Sequence, residues 1–313
     1  MFDLALIGAG RMGRTHVRAL ADSTEVRVSS VVEPFAAARE SLQIPGASIY
    51  ASLDQLLDAE RPDGVLVAAP STQHEELVGR IVEQGLPILC EKPCGVTATE
   101  ARNAAASAQS RGVILQVAYW RRYVPVLQEL RERILSGELG EIHHLVSAQW
   151  DEAPPSAEFR LNSGGIFVDM GVHEFDQVRW LTGQELVDVT AVGSSLADTV
   201  AADDPDGAQA LWSMSGGALC SVSLGRYHPP GDMATVEVFG TRGTFRAQFL
   251  DPAYGDAAQI AALRRQAEGF ATWVCGGECT GSTAADAVAA LEAAERSAGA
   301  MRAHRATQKR TPA

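Results

Sequence analysis

The stretch Leu4-Ala5-Leu6-Ile7-Gly8-Ala9-Gly10-Arg11-Met12-Gly13 decides the fold. Its four apolar residues read as a buried strand, the glycines as a tight turn, and residues 14–21 as the amphipathic helix that the turn opens. In that order Gly8 permits the turn, Gly10 lets an anion approach the main chain, and Gly13 lets helix and strand pack closely. The N–H groups at Arg11 and Met12 then sit at the positive end of a helix, where a pyrophosphate is favoured. A glycine turn with a purely structural role is the alternative.

A second strand at 26–33 completes the pattern and ends on Glu33, twenty residues past Gly13. A carboxylate there hydrogen-bonds the adenosine ribose hydroxyls and repels a 2′-phosphate, which predicts NAD as the cofactor. Arg39 on the next helix is the feature that favours NADP instead. Further strands are expected at 64–69, 87–91 and 113–118, alternating with helices at 36–41, 53–57, 74–84 and 99–111; Gly85 and Gly112 stop two of these. Strand alternating with helix predicts an α/β fold, an N-terminal Rossmann doubly wound parallel sheet.

After Tyr119 the pattern changes. A helix at 124–136, a strand at 142–150, a helix beginning near Asp169, and strands at 188–194, 209–214, 218–224, 235–239 and 244–249 predict an α+β unit with a mostly antiparallel sheet. The expected division is therefore a dinucleotide-binding domain at 1–120 and a domain for substrate binding and oligomerisation at 121–313. The alanine-rich tail at 256–301 reads as helix, and the basic end at 304–313 as frayed.

Composition narrows the partners. With 26 Lys and Arg against 39 Asp and Glu the net charge is −13 in 313 residues, which argues against a nucleic-acid surface. No charged leader precedes the first strand and no run of about eighteen apolar residues occurs, so a cytoplasmic protein without a membrane segment is expected. Five cysteines without C-x-x-C spacing predict buried free thiols. His143 and His144 are neighbours on a strand and point to opposite faces, so no metal site is expected from them.

Two motifs carry candidate chemistry. Ile88-Leu89-Cys90-Glu91-Lys92-Pro93 puts Lys92 at the carboxyl end of a buried strand, the edge where open α/β sheets bind ligands; an ordinary loop is the alternative. In Ser163-Gly164-Gly165-Ile166-Phe167-Val168-Asp169-Met170-Gly171-Val172-His173, Asp169 and His173 lie four apart on one helical face and can share a proton. An N-terminal helix charge and a satisfied core histidine are the alternative reading.

Together with Ala69-Pro70-Ser71-Thr72-Gln73-His74, these motifs resemble the Gfo/Idh/MocA oxidoreductases, the glucose-fructose oxidoreductase and inositol dehydrogenase family, over nearly the whole chain. Residues 116–123 and 169–176 look most like the inositol 2-dehydrogenases. The resemblance implies NAD-dependent hydride transfer at a hydroxyl carbon of a small polyhydroxylated, cyclitol-like substrate. It implies that His173 accepts the hydroxyl proton, Asp169 orients the imidazole, and Lys92 donates to the substrate oxygen. Around the cofactor it places Gly8, Gly10, Arg11, Met12, Gly13, Glu33, Pro70, Ser71, His74, Glu91 and Lys92, with Ser71 standing where the family usually has asparagine and His74 otherwise a helix cap.

Trp120, Arg121 and Asp151 are candidates for the substrate pocket, because a polyol needs several polar partners; a core tryptophan and a surface arginine pair are the alternative. Tyr227, in a loop at 227–232 that departs from the inositol dehydrogenase pattern, is expected to close over the substrate. The rival readings are an aldose or glycoside dehydrogenase or keto-sugar reductase of the same family, and a non-catalytic NAD-binding sensor. The family resemblance further implies a homodimer or homotetramer.

Overall fold

The computed structural model describes residues 1–195 and 204–308. Contacts gather the chain into two units, the first from Met1–Gly95, Thr99–Tyr123 and Gln259–Val288, the second from Val96–Ala98, Val124–Ala258 and Ala289 onward. The sequence suggests one crossing at residue 120; the chain crosses at Tyr123 and later returns Gln259–Val288 to the first unit. The return has a packing reason, since Ala267, Phe270 and Ala271 of the helix Ala257–Val274 share one core with Phe2, Leu4, Leu66 and Leu89. Phe2 and Phe270 meet edge-on at 6.0 Å, and a Cβ on Gly64 would stand 2.9 Å from the Phe270 ring.

The first unit is built on a seven-stranded sheet, in the order β13-β6-β5-β4-β1-β2-β3. The strands are β1 (Phe2–Ile7), β2 (Val26–Val32), β3 (Ser48–Tyr50), β4 (Gly64–Val67), β5 (Ile88–Cys90), β6 (Leu115–Val117) and, much later, β13 (Ser282–Thr283). All pairs are parallel except β13 with β6. β1 pairs with β2 on one side and β4 on the other, so the strand order reverses there and opens the crevice at which such sheets bind ligands. β4 and β5 are buried throughout, as expected of strands covered on both faces. β3 and β13 leave no mark in the sequence, being too short to show a period.

The second unit holds a six-stranded sheet, in the order β12-β11-β7-β10-β9-β8, with β7 (Ile142–Trp150), β8 (Leu186–Ser194), β9 (Gly207–Met214), β10 (Leu219–Gly225), β11 (Met233–Gly240) and β12 (Thr244–Leu250). Among the described residues of this unit, only β7 and β10 pair parallel. Cys220, Val222 and Leu224 alternate onto the buried face. Against this face packs the helix Val172–Thr182, where Phe175 stacks on Phe167 at 6.4 Å and meets Trp212 edge-on at 6.0 Å. The other face leaves Leu211 and Leu219 exposed.

Three local expectations change. The helix expected near Asp169 starts with a π-helical turn, Phe167–Gly171, before Val172–Thr182; the wider turn carries Gly171 against Phe175 and Leu224, where a Cβ would come within 3.1 and 3.3 Å. The alanine-rich tail is two helices, Ala257–Val274 and Ala284–Gln308, with β13 between them. The end read as frayed from His304 is helical through Gln308, because fully buried Met301 seats its preceding turn against Gly193; 309–313 lie outside the described residues. No helix among the described residues is long and apolar enough to cross a membrane.

Candidate active site

In the first unit the glycine turn is shaped by what surrounds it. Gly8 adopts φ +94°, and a Cβ there would meet the Ala68 carbonyl at 2.7 Å. A Cβ on Gly13 would stand 2.0 Å from the Gly8 carbonyl oxygen, whereas one on Gly10 would meet nothing within 4 Å. The helix Arg11–Leu20 starts from Gly10 with no side-chain cap and no acid in its first turn. An open, uncapped N-terminus beside a glycine is what a pyrophosphate requires, so these residues fit a dinucleotide. Gly13→Ala is expected to cost about 1–3 kcal/mol, because backbone and not a movable side chain is in the way. A lower melting temperature and weaker NADH binding by fluorescence titration would be the result; wild-type values for both would refute it.

Glu33, directly after β2, is only 5 % exposed. Its Oε2 accepts from Ala9 N at 2.9 Å and its Oε1 from Phe35 N at 3.0 Å, so the carboxylate is fixed beside the glycine turn. Arg39 Nη1 donates to the carbonyls of Glu33 and Pro34 at 2.8 and 2.7 Å, which anchors the guanidinium to the main chain at the end of that segment.

At the end of β5, Glu91 is buried and held by a residue that the sequence reading passed over. His16, fully buried on the Arg11–Leu20 helix, places Nε2 2.6 Å from Glu91 Oε1, while Glu91 Oε2 accepts from the Lys92 main-chain N–H at 3.1 Å. Burial pushes the Glu91 pKa up, but His16 and Lys92 together outweigh it and the carboxyl ends below its ordinary value. Lys92 thus leaves the sheet from a main chain tied to the glycine-turn helix, followed by a cis bond to Pro93. The available signal was a histidine on the buried face of an amphipathic helix.

His74 does not cap its helix; Gln73 holds that position and its side chain accepts no capping hydrogen bond. The buried His74 ring instead sets Nδ1 2.7 Å from the Pro93 carbonyl and Nε2 2.8 Å from the Ala69 carbonyl, linking the segments that follow β5 and β4. Burial lowers its pKa, and the two carbonyls oppose this by favouring a doubly protonated ring. Exposed Pro70 and half-buried Ser71 lie between them at the start of the short turn Ser71–Gln73. Trp120 and Arg121, in the 3₁₀ turn Trp120–Tyr123, are buried. The surface arginine pair is therefore overturned, since Arg122 is buried too, with Asp286 at 3.3 Å and the Gly281 carbonyl at 3.2 Å.

In the second unit the strand register assembles a row of charge. Trp150 of β7, Gly225 of β10 and Gly207 of β9 lie side by side, and the next residues, Asp151, Arg226 and Asp206, continue the row through Asp151 N to Gly225 O at 2.9 Å and Arg226 N to Asp206 O at 2.8 Å. Asp169 arrives from the π-helical turn, its Oδ2 2.6 Å from Arg226 Nη1. The same Nη1 lies 3.4 Å from Asp151 Oδ2, and Nη2 donates to Asp204 at 2.8 Å. Burial raises the Asp151 pKa, with Arg226 opposing and Asp169 and Asp232 adding to the rise. His173, 7 % exposed, stands in the first turn of the Val172–Thr182 helix.

Exposed Tyr227 follows directly on Arg226. Its loop is braced on the end of β7 by His228 N to Asp151 O and by Glu152 N to Asp232 Oδ1, both 2.8 Å. Of the cysteines, Cys90, Cys94 and Cys220 are buried but Cys275 and Cys279 are exposed, in the connector past the Ala257–Val274 helix, and all five are free. Among the described residues no group of three or more His, Cys, Asp or Glu is placed to hold a metal ion.

A Rossmann sheet with a glycine-lined helix start and a fixed acid at the end of β2, continued by a mostly antiparallel unit rich in buried carboxylates, defines a two-unit NAD-binding oxidoreductase. The chain belongs to the Gfo/Idh/MocA family: residues 2–119 match the oxidoreductase family with an NAD-binding Rossmann fold, and 127–246 match the GFO/IDH/MocA C-terminal domain. It is 49% identical over 295 residues to the rhizopine catabolism protein MocA of Rhizobium meliloti, covering 94% of this chain and 93% of that one. It is 34% identical to the myo-inositol dehydrogenase Hyg17 of Streptomyces leeuwenhoekii, covering 94% and 97% of the two chains. The crystal structure of a myo-inositol dehydrogenase from Corynebacterium glutamicum superposes with a TM-score of 0.88 at 26% identity, covering 97% of each chain.

Proposed function

We propose that the chain oxidises a secondary hydroxyl of a cyclitol, an inositol-like ring, with NAD. The observation that carries this reading is the Asp151, Arg226 and Asp169 cluster, two carboxylates gathered on one buried guanidinium where β7 and β10 end. Carboxylates so placed accept charge-assisted hydrogen bonds from neighbouring ring hydroxyls. The relatives named as myo-inositol dehydrogenases support the same substrate class.

NAD, when bound, supplies the hydride acceptor; the chain's own residues handle position and proton. The main chain at Gly8, Gly10, Arg11, Met12 and Gly13 takes the pyrophosphate and Glu33 the adenosine ribose. Pro70, Ser71, His74 and Glu91 shape the nicotinamide end. The His173 imidazole accepts the hydroxyl proton, a group of the kind that gives it back as readily near neutral pH. Asp169 orients that ring and stabilises its charged form. Lys92 Nζ donates to the oxygen whose negative charge grows, and Trp120, Arg121, Asp151 and Tyr227 contact the remaining hydroxyls.

Reduction of NAD and NADP, followed by absorbance across myo-inositol, scyllo-inositol, glucose, galactose, xylose and a methyl glycoside, tests the reading. Turnover with an inositol and NAD is expected. Turnover with a sugar alone would favour an aldose or glycoside dehydrogenase, the second reading, which the braced 227–232 loop in place of the inositol dehydrogenase pattern supports. NADH binding without any turnover would favour a sensor.

Glu33→Gln keeps an acceptor for Ala9 N and removes the charge that repels a 2′-phosphate, next to the anchored Arg39. The preference for NAD over NADP in kcat/KM is expected to narrow roughly tenfold, about 1.4 kcal/mol; an unchanged ratio would show that Glu33 does not set it. We also infer a homodimer or homotetramer in the cytoplasm, formed through the open face with Leu211 and Leu219, because apolar residues exposed on one face of adjacent strands favour a second copy. A monomer mass by light scattering would overturn that.

A further inference from the structure

We propose that Arg226 is a positioning residue that holds Asp169 and Asp151 in one geometry, so that the partner of the proton-accepting histidine and the hydroxyl-binding carboxylate move as a unit. This rests on the reading of Asp169, His173 and Asp151 given above.

Position 226 continues the alternation that buries Cys220, Val222 and Leu224, so packing alone calls for an apolar side chain there. An arginine stands there instead, 0 % exposed, where a charge survives only if it is paired. Its fork is divided: Nη2 is held by Asp204 at 2.8 Å, and Nη1 reaches Asp169 at 2.6 Å and Asp151 at 3.4 Å. Asp204 alone would have paired the charge.

The anchoring side is itself rigid. Fully buried Asp204 is bound by Arg160 through its carboxylate and, at 2.7 Å, through its carbonyl, and Arg160 Nη1 lies 3.2 Å from Asp206. Arg226 N meets the Asp206 carbonyl at 2.8 Å, so both main chain and head group are fixed. Burial works against the guanidinium charge, but Asp169 and Asp204 outweigh it and raise its pKa above the usual arginine value. The planar fork spans three carboxylates at once, which a lysine ammonium does not do.

The test compares Arg226→Gln and Arg226→Lys with the wild type, all rates being expressed per NADH-binding site so that unfolded protein drops out. Asp169→Asn and His173→Asn run alongside. Arg226→Gln is expected to lose roughly 10²-fold in kcat with a raised KM for the polyol and an NADH Kd within about twofold of wild type. Arg226→Lys is expected to recover part of kcat while KM stays raised, because one charge reaches Asp169 but does not span to Asp151. A role in packing alone would change the melting temperature and the number of NADH sites and leave kcat and KM per site untouched, which would overturn the proposal.

Should Arg226→Gln fail to fold, Asp204→Asn decides. It loosens the fork from the far side, and a several-fold fall in kcat at unchanged NADH Kd supports the proposal while wild-type kcat overturns it. Inactive Asp169→Asn and His173→Asn beside an unaffected Arg226→Gln would sink the positioning role alone. Full activity in those two would sink the site reading beneath it.

Discussion

Replacing Lys92 by alanine is expected to lower kcat by roughly 10²–10³-fold, the loss seen when one preorganised donor to a developing oxyanion is removed. Lys92 leaves β5 at the carboxyl edge of the first sheet, from a main chain held by the Glu91 carboxylate and, through it, by His16. Those hydrogen bonds run through the His16 ring and the Lys92 main chain, and the ammonium adds charge attraction to Glu91, so the glycine turn and its helix are expected to stay in place and NADH to bind with near wild-type affinity. The decisive pair of measurements is kcat with the best polyol and NADH Kd by fluorescence titration. A variant that turns over at the wild-type rate would remove Lys92 from the proposed chemistry. One that loses NADH binding in step with kcat would make its role cofactor binding instead.

The second large effect is expected at His173. His173→Asn keeps a planar polar side chain of similar size but has no group able to take the hydroxyl proton near neutral pH, and a loss of about 10²–10⁴-fold is expected. The helix that carries it is seated by fully buried Val172, Phe175 and Val178, so the exchange is expected to leave the second unit folded. The pH profile is the sharper readout. If the imidazole is the base, the limb of kcat that falls toward acid should vanish with it. An unmoved limb in His173→Asn would assign the proton to another group.

Much of the fold was legible because it is written in short-range period. Four apolar residues before Gly8, the glycines that follow, and the alternation of strand and helix to residue 118 are local signals that parallel strands buried on both faces must carry. Glu33, Lys92, Asp169 and His173 stood out for a related reason: Glu33 and Lys92 come just after strands, and Asp169 and His173 are four apart at a helix start, positions that the apolar pattern leaves to polar side chains. β3 and β13 escaped because three and two residues hold no period, and the π-helical turn at Phe167–Gly171 because widening a helix changes hydrogen-bond partners and not residue type.

The supports of the site were a different matter. His16 lies 75 residues from Glu91, and Arg226 lies 57 from Asp169 and 75 from Asp151. A buried ion pair has no preferred sequence spacing, and its partners look like ordinary surface charges until a strand register or a helix face brings them out of water together. By itself the sequence determined a Rossmann unit with a cofactor turn at Gly8 to Gly13 and a mostly antiparallel unit after it, and it nominated the residues proposed to carry the reaction. Only the tertiary structure decided which charges hold them, because the parallel pairing of β7 with β10 and the antiparallel pairing of β10 with β9 set Asp151, Arg226 and Asp206 in one row, beneath an aspartate delivered by a π-helical turn.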